Sequence, residues 1–372
     1  MTILFLTPPF RRPYELSYFC SFSEDVIIII DEHTFCKYSD SLEEFKQFNF
    51  HFFFLSIEIE MISKILKLGS TAALIRYNEA QLSRIVQDSK VSAIVSVEIF
   101  SSLSRQASRL ASKFSLRHIV IVWENIKKSI FYFIPPFSIN TKIVKSSASK
   151  FIAVSNMSKQ SIDSLHVNEG KIETIYPGIF VDKFKPSVDS TNKILFVGEL
   201  EPNKGISVLL NAFEKLSHYL FDTVLVIVGR GSLENKVVKL KNSGLKVDYR
   251  GYIPHSTLAT VYSDCSVFCS PSIKVKRAGL ILTLQEQFGF TLVEAMASGL
   301  PVVSSNVGTI PEIIGTENLV VSPDTDNVFA ALHKLLTCDE LRKGLRKKNR
   351  ERSLSRFNTP TQSRLFERAI SA

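Results

Sequence analysis

The sequence predicts two α/β domains, each built on a doubly wound parallel sheet. Short apolar runs alternate with polar segments of helical period along most of the chain. One polar, proline-containing stretch at 183–192 (KFKPSVDSTN) interrupts the series. A length of 372 residues also exceeds what one ordinary core encloses.

The first series places strands at Ile3–Leu6, Val26–Ile30, His51–Ile57, Ala93–Val97, Ile119–Trp123 and Phe151–Val154. A run such as VIIII shows no polar alternation, so both faces of the strand must be covered, as in parallel sheets. The pattern breaks at Tyr176-Pro-Gly-Ile, and the linker follows. The second series is sharper. Strand Lys193–Val197 ends in Gly198 and leads into a helix at Gly205–Tyr219; strand Thr223–Val228 ends in Gly229 and leads into a helix at Ser232–Asn242. Strand Val247–Arg250, helix His255–Tyr262 and strand Val267–Cys269 come next, closed by Ser270-Pro271. A helix opening at Phe290 and strands Pro301–Ser304 and Leu319–Val321 complete the sheet. Glycine at two successive strand ends lets backbone approach a ligand where open α/β sheets bind one. Helical stretches at Val328–Leu336 and Glu340–Ser355 close the domain, and one at Thr361–Ile370 is placed to pack back across the linker. The expected divisions are 1–183, 184–358 and the C-terminal helix in 359–372.

Hydrophobic residues at 45% and charged residues at 22% describe a soluble globular chain. No apolar run reaches the roughly 18–20 residues a membrane span needs. The start MTILFLTPPF has no basic leader and no small-residue cleavage site, so a cytoplasmic location is expected. Five scattered cysteines, with no second ligand pair near Cys265 and Cys269, point to reduced thiols and no zinc. The net charge of +9 is concentrated at the end: residues 337–372 hold ten Lys or Arg against four acids. A nucleic-acid surface, an anionic membrane face and a solvated helix each fit such a segment. With no aromatic interleaving and no recognisable binding module, no nucleic-acid partner is expected.

The most informative stretch is Glu286-Gln-Phe-Gly-Phe-Thr-Leu-Val-Glu294. A helix starting near Gly289 carries Glu294 in its second turn and leaves Glu286 on the preceding loop. Both acids can then face a ligand whose phosphate sits at the helix N-terminus. Two acids around a phosphate seat suit a nucleotide-sugar. The alternative is a surface helix with Glu294 as an ordinary solvated charge.

Read together, the second half resembles the retaining glycosyltransferases of the GT-B type, specifically glycosyltransferase family 4. The matching pieces, in order, are FVGELEPNKGI (196–206), VIVGRGSLENKV (226–237), YRGYIPHSTLATVYSDCSVFCSPS (249–272), EQFGFTLVEAMASGLPVVSSNVGTIPEII (286–314) and LVVSPDT (319–325). YPGIFVDKFKP (176–186) and VSNMSKQSI (154–162) add to them. The resemblance implies two Rossmann-like domains facing a cleft, an N-terminal one for the acceptor and a C-terminal one for a UDP- or GDP-sugar. It implies that Lys204 neutralises the donor diphosphate, that Glu294 binds the ribose, and that Glu286 is the catalytic position holding the transferred sugar. The turn Phe288–Leu292 would lie against the phosphates through the N–H groups of Gly289, Phe290, Thr291 and Leu292, and Ile253 would meet the base. No metal or cofactor is implied, since the nucleotide-sugar is a substrate. Neither is a protein nucleophile: the departing phosphate oxygen takes the acceptor's proton.

Several positions depart from the family. Where arginine usually follows the first strand-end glycine, Gly198 is followed by Glu199, while Arg230 stands after the next strand. The two either form an ion pair, or Arg230 supplies the lost phosphate contact, or they are unrelated surface charges. Where the family often has His-Asp, this chain has Trp123-Glu124-Asn125. Trp123 then walls the acceptor side with Glu124 or Asn125 as the polar contact, or it is a core aromatic. Thr7-Pro-Pro-Phe-Arg-Arg replaces a glycine turn, offering Arg11 and Arg12 to an anionic acceptor or to solvent. The segment KVKRAGLILTLQ (274–285) suits a lid, and SIFYFIPPFSI (129–139) either a membrane-interface insertion or a buried loop. Asp324-Thr-Asp326 has the form of a metal-binding D-x-D, but a helix N-cap explains it better. A glycan or lipid-linked acceptor, with the protein peripheral on an anionic membrane, is the expected setting. A nucleotide-sugar epimerase on the same fold and a non-catalytic partner of an active transferase are the alternatives.

Overall fold

The computed structural model describes every residue except 1, 8–12, 38, 60–73, 187–191, 278–281 and 372. The chain divides into two compact units, Met1–Gly178 with Thr359–Ala372, and Ile179–Asn358.

Unit 1 carries β1 (Thr2–Leu6), β2 (Val26–Ile30), β3 (Phe50–Phe54), β4 (Ile57–Ile59), β5 (Ile75–Tyr77), β6 (Val91–Val97), β7 (Arg117–Val122), β8 (Lys150–Ala153) and β9 (Ile172–Thr174). Seven form one sheet in the order β3-β2-β1-β6-β7-β8-β9, every pair parallel. All five residues of β2 are buried, as an unbroken apolar run requires. The single strand expected at His51–Ile57 is two: β3 ends at Phe54, and β4 pairs antiparallel with β5 in a separate ribbon.

Unit 2 carries β10 (Lys193–Val197), β11 (Val224–Val228), β12 (Val247–Gly251), β13 (Val267–Ser270), β14 (Val275–Arg277), β15 (Leu282–Leu284), β16 (Val302–Ser305) and β17 (Leu319–Val321). Six form a parallel sheet in the order β12-β11-β10-β13-β16-β17. Within the expected lid segment, β14 and β15 pair antiparallel, and residues 278–281 lie outside the described residues. Helix Ile206–Ser217 buries Ile206, Leu209, Leu210, Phe213 and Leu216, the i, i+3, i+4, i+7 stripe of an amphipathic helix. That stripe shares one core with Val328, Leu332 and Leu335 of helix Thr325–Thr337.

Strand order reverses between β1 and β6 in one sheet and between β10 and β13 in the other. Ligands of doubly wound sheets bind outside the carboxyl ends of the strands at such reversals.

The division after residue 183 is corrected to one after Gly178. Ile179, Val181 and Phe184 are buried. Ile179 N donates to Phe357 O at 2.8 Å, and Arg350 Nη1 donates to the carbonyls of Val181 (3.1 Å) and Phe184 (2.6 Å). The polar linker signal begins only after these anchors. Helix Thr359–Ser371 belongs to unit 1: Phe366 packs on Tyr18 and Phe19, with ring centroids 4.9 and 5.3 Å away.

The basic C-terminal segment is partly structural. Arg342 donates to Leu335 O (2.9 Å) and Leu336 O (2.8 Å), capping the preceding helix. Arg352 Nε donates to Ile313 O (2.8 Å), and its Nη2 donates to Glu312 O (2.7 Å). Lys343, Lys347, Lys348 and Arg356 are exposed.

Asp324 caps helix Thr325–Thr337, accepting the Asn327 N–H at 2.9 Å. That bond holds its carboxyl below the usual carboxylate range. Asp326 instead pairs with Lys215 at 2.7 Å. Asp324→Ala is therefore expected to lower the urea midpoint, and Asp324→Asn, which also caps, to keep it close to wild type. Equal midpoints for the two variants would remove the capping role.

Candidate functional site

At the carboxyl edge of unit 2, close backbone packing sets the geometry. Gly198 N donates to Val228 O (3.0 Å) and Leu200 N to Arg230 O (2.9 Å), so the tails of β10 and β11 run on side by side. A Cβ on Gly229 would lie 1.8 Å from Gly198 O, so no side chain fits there. Glu199 and Arg230 thus follow neighbouring strand ends, and the Arg230 guanidinium lies along Gly251 at the end of β12.

The turn Pro202–Lys204 leads through Gly205, at φ 70°, into helix Ile206–Ser217. A Cβ on Gly205 would sit 1.8 Å from Pro271 O, which fixes Lys204 against the end of β13. Lys204 Nζ lies 2.8 Å from Glu286 Oε2, both side chains largely buried. Two charged groups 82 positions apart in sequence are therefore joined at the reversal of the sheet. The Glu286 backbone is clamped in turn: its carbonyl accepts from Thr309 N (3.2 Å) and Thr309 Oγ1 (3.3 Å).

Helix Phe290–Ala297 starts at Gly289 (φ 84°), and no side chain caps it. An uncapped N-terminus offers N–H groups to an anion. Leu292 N is committed to Gly289 O at 2.9 Å, which narrows the expected set to Gly289, Phe290 and Thr291. The Phe288 side chain is buried against Phe290 and Phe357, with ring centroids 5.0 and 5.8 Å away, and shapes the turn from inside.

Glu294 is not a solvated surface charge: its exposure is 0%. Tyr262 O–H donates to Oε2 at 2.7 Å, and His255 Nε2 lies 3.1 Å from Oε1. Sequence reasoning missed both partners. The available signal was their spacing of seven on helix His255–Ser263, which puts them on one face. Ile253, half-buried, precedes that helix.

At the carboxyl edge of unit 1, Trp123-Glu124-Asn125 follow β7. Trp123 is half-buried; Glu124 and Asn125 are buried at 6% and 2% exposure. Glu124 accepts from Ile126 N at Oε1 and from Ser129 Oγ at Oε2, both at 2.9 Å. Its carboxylate thus staples its own loop, and burial raises its pKa. Arg11 and Arg12 lie outside the described residues.

Residues 180–352 match the family described as Glycosyl transferases group 1. O-antigen chain mannosyltransferase B of Escherichia coli is 32% identical over 154 residues, 40% of this chain and 38% of that protein. Phosphatidyl-myo-inositol mannosyltransferase of Mycolicibacterium smegmatis is 32% identical over 155 residues, 41% and 38% respectively. The chain thus matches well under half the length of these relatives. Across its whole length it superimposes on Anabaena HepE in complex with UDP (TM-score 0.76, 15% identity, all of both chains). Sucrose-phosphate synthase from Thermosynechococcus elongatus superimposes with TM-score 0.71 at 16% identity, over 99% of this chain and 98% of that one. The fold is GT-B, and the stretch that matches the glycosyl transferases group 1 family, residues 180–352, lies within its second unit.

Proposed function

We propose that the protein is a retaining, metal-independent glycosyltransferase of family 4. It moves a sugar from a UDP- or GDP-sugar to a glycan or lipid-linked acceptor. The observation that carries this reading is the Lys204–Glu286 pair, 2.8 Å apart, beside an uncapped helix N-terminus whose helix bears Glu294. Lys204 neutralises the donor diphosphate together with the N–H groups of the helix. Arrival of the diphosphate draws Lys204 away from Glu286 and frees that carboxylate for the hydroxyls of the transferred sugar. Glu294 takes the ribose. Catalysis lies in positioning and in stabilising charge on the leaving diphosphate, whose oxygen accepts the acceptor's proton. Relatives described as mannosyltransferases and a neighbour bound to UDP support this chemistry.

The same proposal places the protein at the cytoplasmic face of an anionic membrane. Among the described residues no helix is long and apolar enough to cross one. Phe133, Ile134 and Ile139 are 60%, 47% and 50% exposed, and Lys127, Lys128 and Lys142 are exposed around them in sequence. Apolar side chains rimmed by lysines suit insertion among anionic headgroups.

A donor panel tests the enzymatic reading. UDP-, GDP- and ADP-sugars are incubated with wild type and Glu286→Ala, and free nucleoside diphosphate is measured. One donor should be turned over, with release falling by about a hundredfold in the variant. Failure of every nucleoside diphosphate to bind the wild type would sink the proposal.

A further inference from the structure

Three independent observations meet at Glu98, the residue following β6. The first is backbone strain. Five residues other than glycine have positive φ among the described residues: Lys90, Glu98, Ser115, Lys128 and His166. Lys90, Ser115 and His166 fall just after helices, where a left-handed residue is routine. Glu98, at φ 67°, instead follows a strand, where a residue other than glycine rarely takes this conformation, and its carbonyl accepts from Ser101 N and Oγ in the turn to the next helix.

The second observation is an unsatisfied carboxyl. Trp123 N donates to Glu98 Oε1 at 3.1 Å, and the Glu124 amide also points at the group. The other oxygen, Oε2, is buried with no hydrogen-bond partner. Such groups are rare in folded chains and call for an explanation. The residue as a whole keeps some exposed surface, so the carboxyl lies just beneath the edge of the unit. Burial, reinforced by the neighbouring Glu124 carboxylate, pushes its pKa well up.

The third is position. β6 lies next to β1, where the strand order of the sheet reverses. This is the place where doubly wound sheets receive ligands. Glu124, the acid expected to face the acceptor, is already hydrogen-bonded at both oxygens within its own loop.

We propose that Glu98, rather than Glu124, is the acceptor-binding acid of unit 1, exchanging a hydrogen bond through Oε2 with a hydroxyl of an uncharged, polyhydroxylated acceptor. The assignment rests on the glycosyltransferase reading for the word acceptor, but not for the site. Two carboxyls side by side offer a phosphate no positive charge, so the end of the acceptor that enters here is a sugar or cyclitol ring. Trp123, whose amide holds the carboxyl, is the only tryptophan of the chain, so its fluorescence reports this site alone.

The test is a fluorescence titration of the full chain with n-octyl mannoside, n-octyl glucoside and mannose 6-phosphate. Saturable change is expected with at least one of the two glycosides, and none with the phosphate. Glu98→Gly suits the left-handed backbone and removes the side chain; it should weaken glycoside binding about tenfold or more. Glu98→Gln keeps a donor and an acceptor in place and should stay within about threefold of wild type. Calorimetric binding of UDP and GDP to the same preparations reports unit 2 and verifies folded protein. Unchanged glycoside affinity in Glu98→Gly, with a raised Tm from relief of strain, would overturn the proposal, and so would no saturable change with either glycoside in the wild type. If glycosides bind through Glu98 while no nucleoside diphosphate binds, the donor reading fails and this one stands.

Discussion

Gly308→Ala is expected to lower donor turnover by about a hundredfold while both units stay folded. Gly308 has φ 60°, and a Cβ there would lie 2.2 Å from the Glu286 carbonyl oxygen and 3.0 Å from its nitrogen. Neither atom is the end of a flexible side chain, so the backbone at 286 must shift. That backbone is held from the same loop by Thr309 N and Thr309 Oγ1, and its side chain is held by Lys204 at 2.8 Å. A displacement of about 1 Å at a positioning group costs roughly two orders of magnitude in rate. Backbone strain and crowding together should remove about 1–3 kcal/mol of stability. Gly299→Ala is the control. Its φ is 69°, yet the nearest atom to an added Cβ is 3.4 Å away, so it suffers the backbone strain without moving Glu286. Circular dichroism melts and donor hydrolysis on both variants separate strain from displacement. Gly308→Ala turning over like Gly299→Ala would mean that Glu286 needs no exact seat.

The fold was legible where burial leaves no freedom. VIIII reads as a strand covered on both faces, and the glycine after β11 is required, since a Cβ on Gly229 would lie 1.8 Å from Gly198 O. The short ribbons were not legible. β4, β5, β14 and β15 have three residues each, too few for any period to emerge. The unit boundary was misplaced for a related reason: Ile179, Val181 and Phe184 look like the end of an apolar series and are anchors of the next unit.

The site divides along similar lines. Lys204 and Glu286 were placed by motif, and the structure adds that they touch. Glu98 carried no signal, since a lone acid after a strand discloses neither its φ nor an unsatisfied oxygen. The loop that holds Glu124 was not legible either, because Ile126 N and Ser129 Oγ reach its two oxygens only once the chain has folded. Arg342 and Arg352 misled as surface charge, because only the fold brings backbone carbonyls to them.

Glu294→Ala is expected to weaken nucleoside diphosphate binding by about a hundredfold, and Tyr262→Phe by about tenfold. Glu294 is fully buried, and a buried carboxylate persists only when its oxygens are satisfied. Tyr262 meets Oε2 at 2.7 Å and His255 approaches Oε1 at 3.1 Å, so the two together orient the carboxylate. Tyr262→Phe keeps the ring against Phe184 and Phe268, with centroids 5.8 and 5.9 Å away, so it isolates the O–H. Losing one charge-assisted hydrogen bond should also lower stability by about 1–3 kcal/mol. Replacing UDP or GDP by its 2′,3′-dideoxy form gives the decisive arm. If Tyr262 acts by orienting Glu294 toward the ribose, its substitution has little further effect on a ligand without those hydroxyls. Equal losses for ribose and dideoxyribose ligands would make Tyr262 a packing residue alone. Normal binding by Glu294→Ala would make the acid itself structural, and the ribose seat would have to be sought elsewhere along the edge of unit 2.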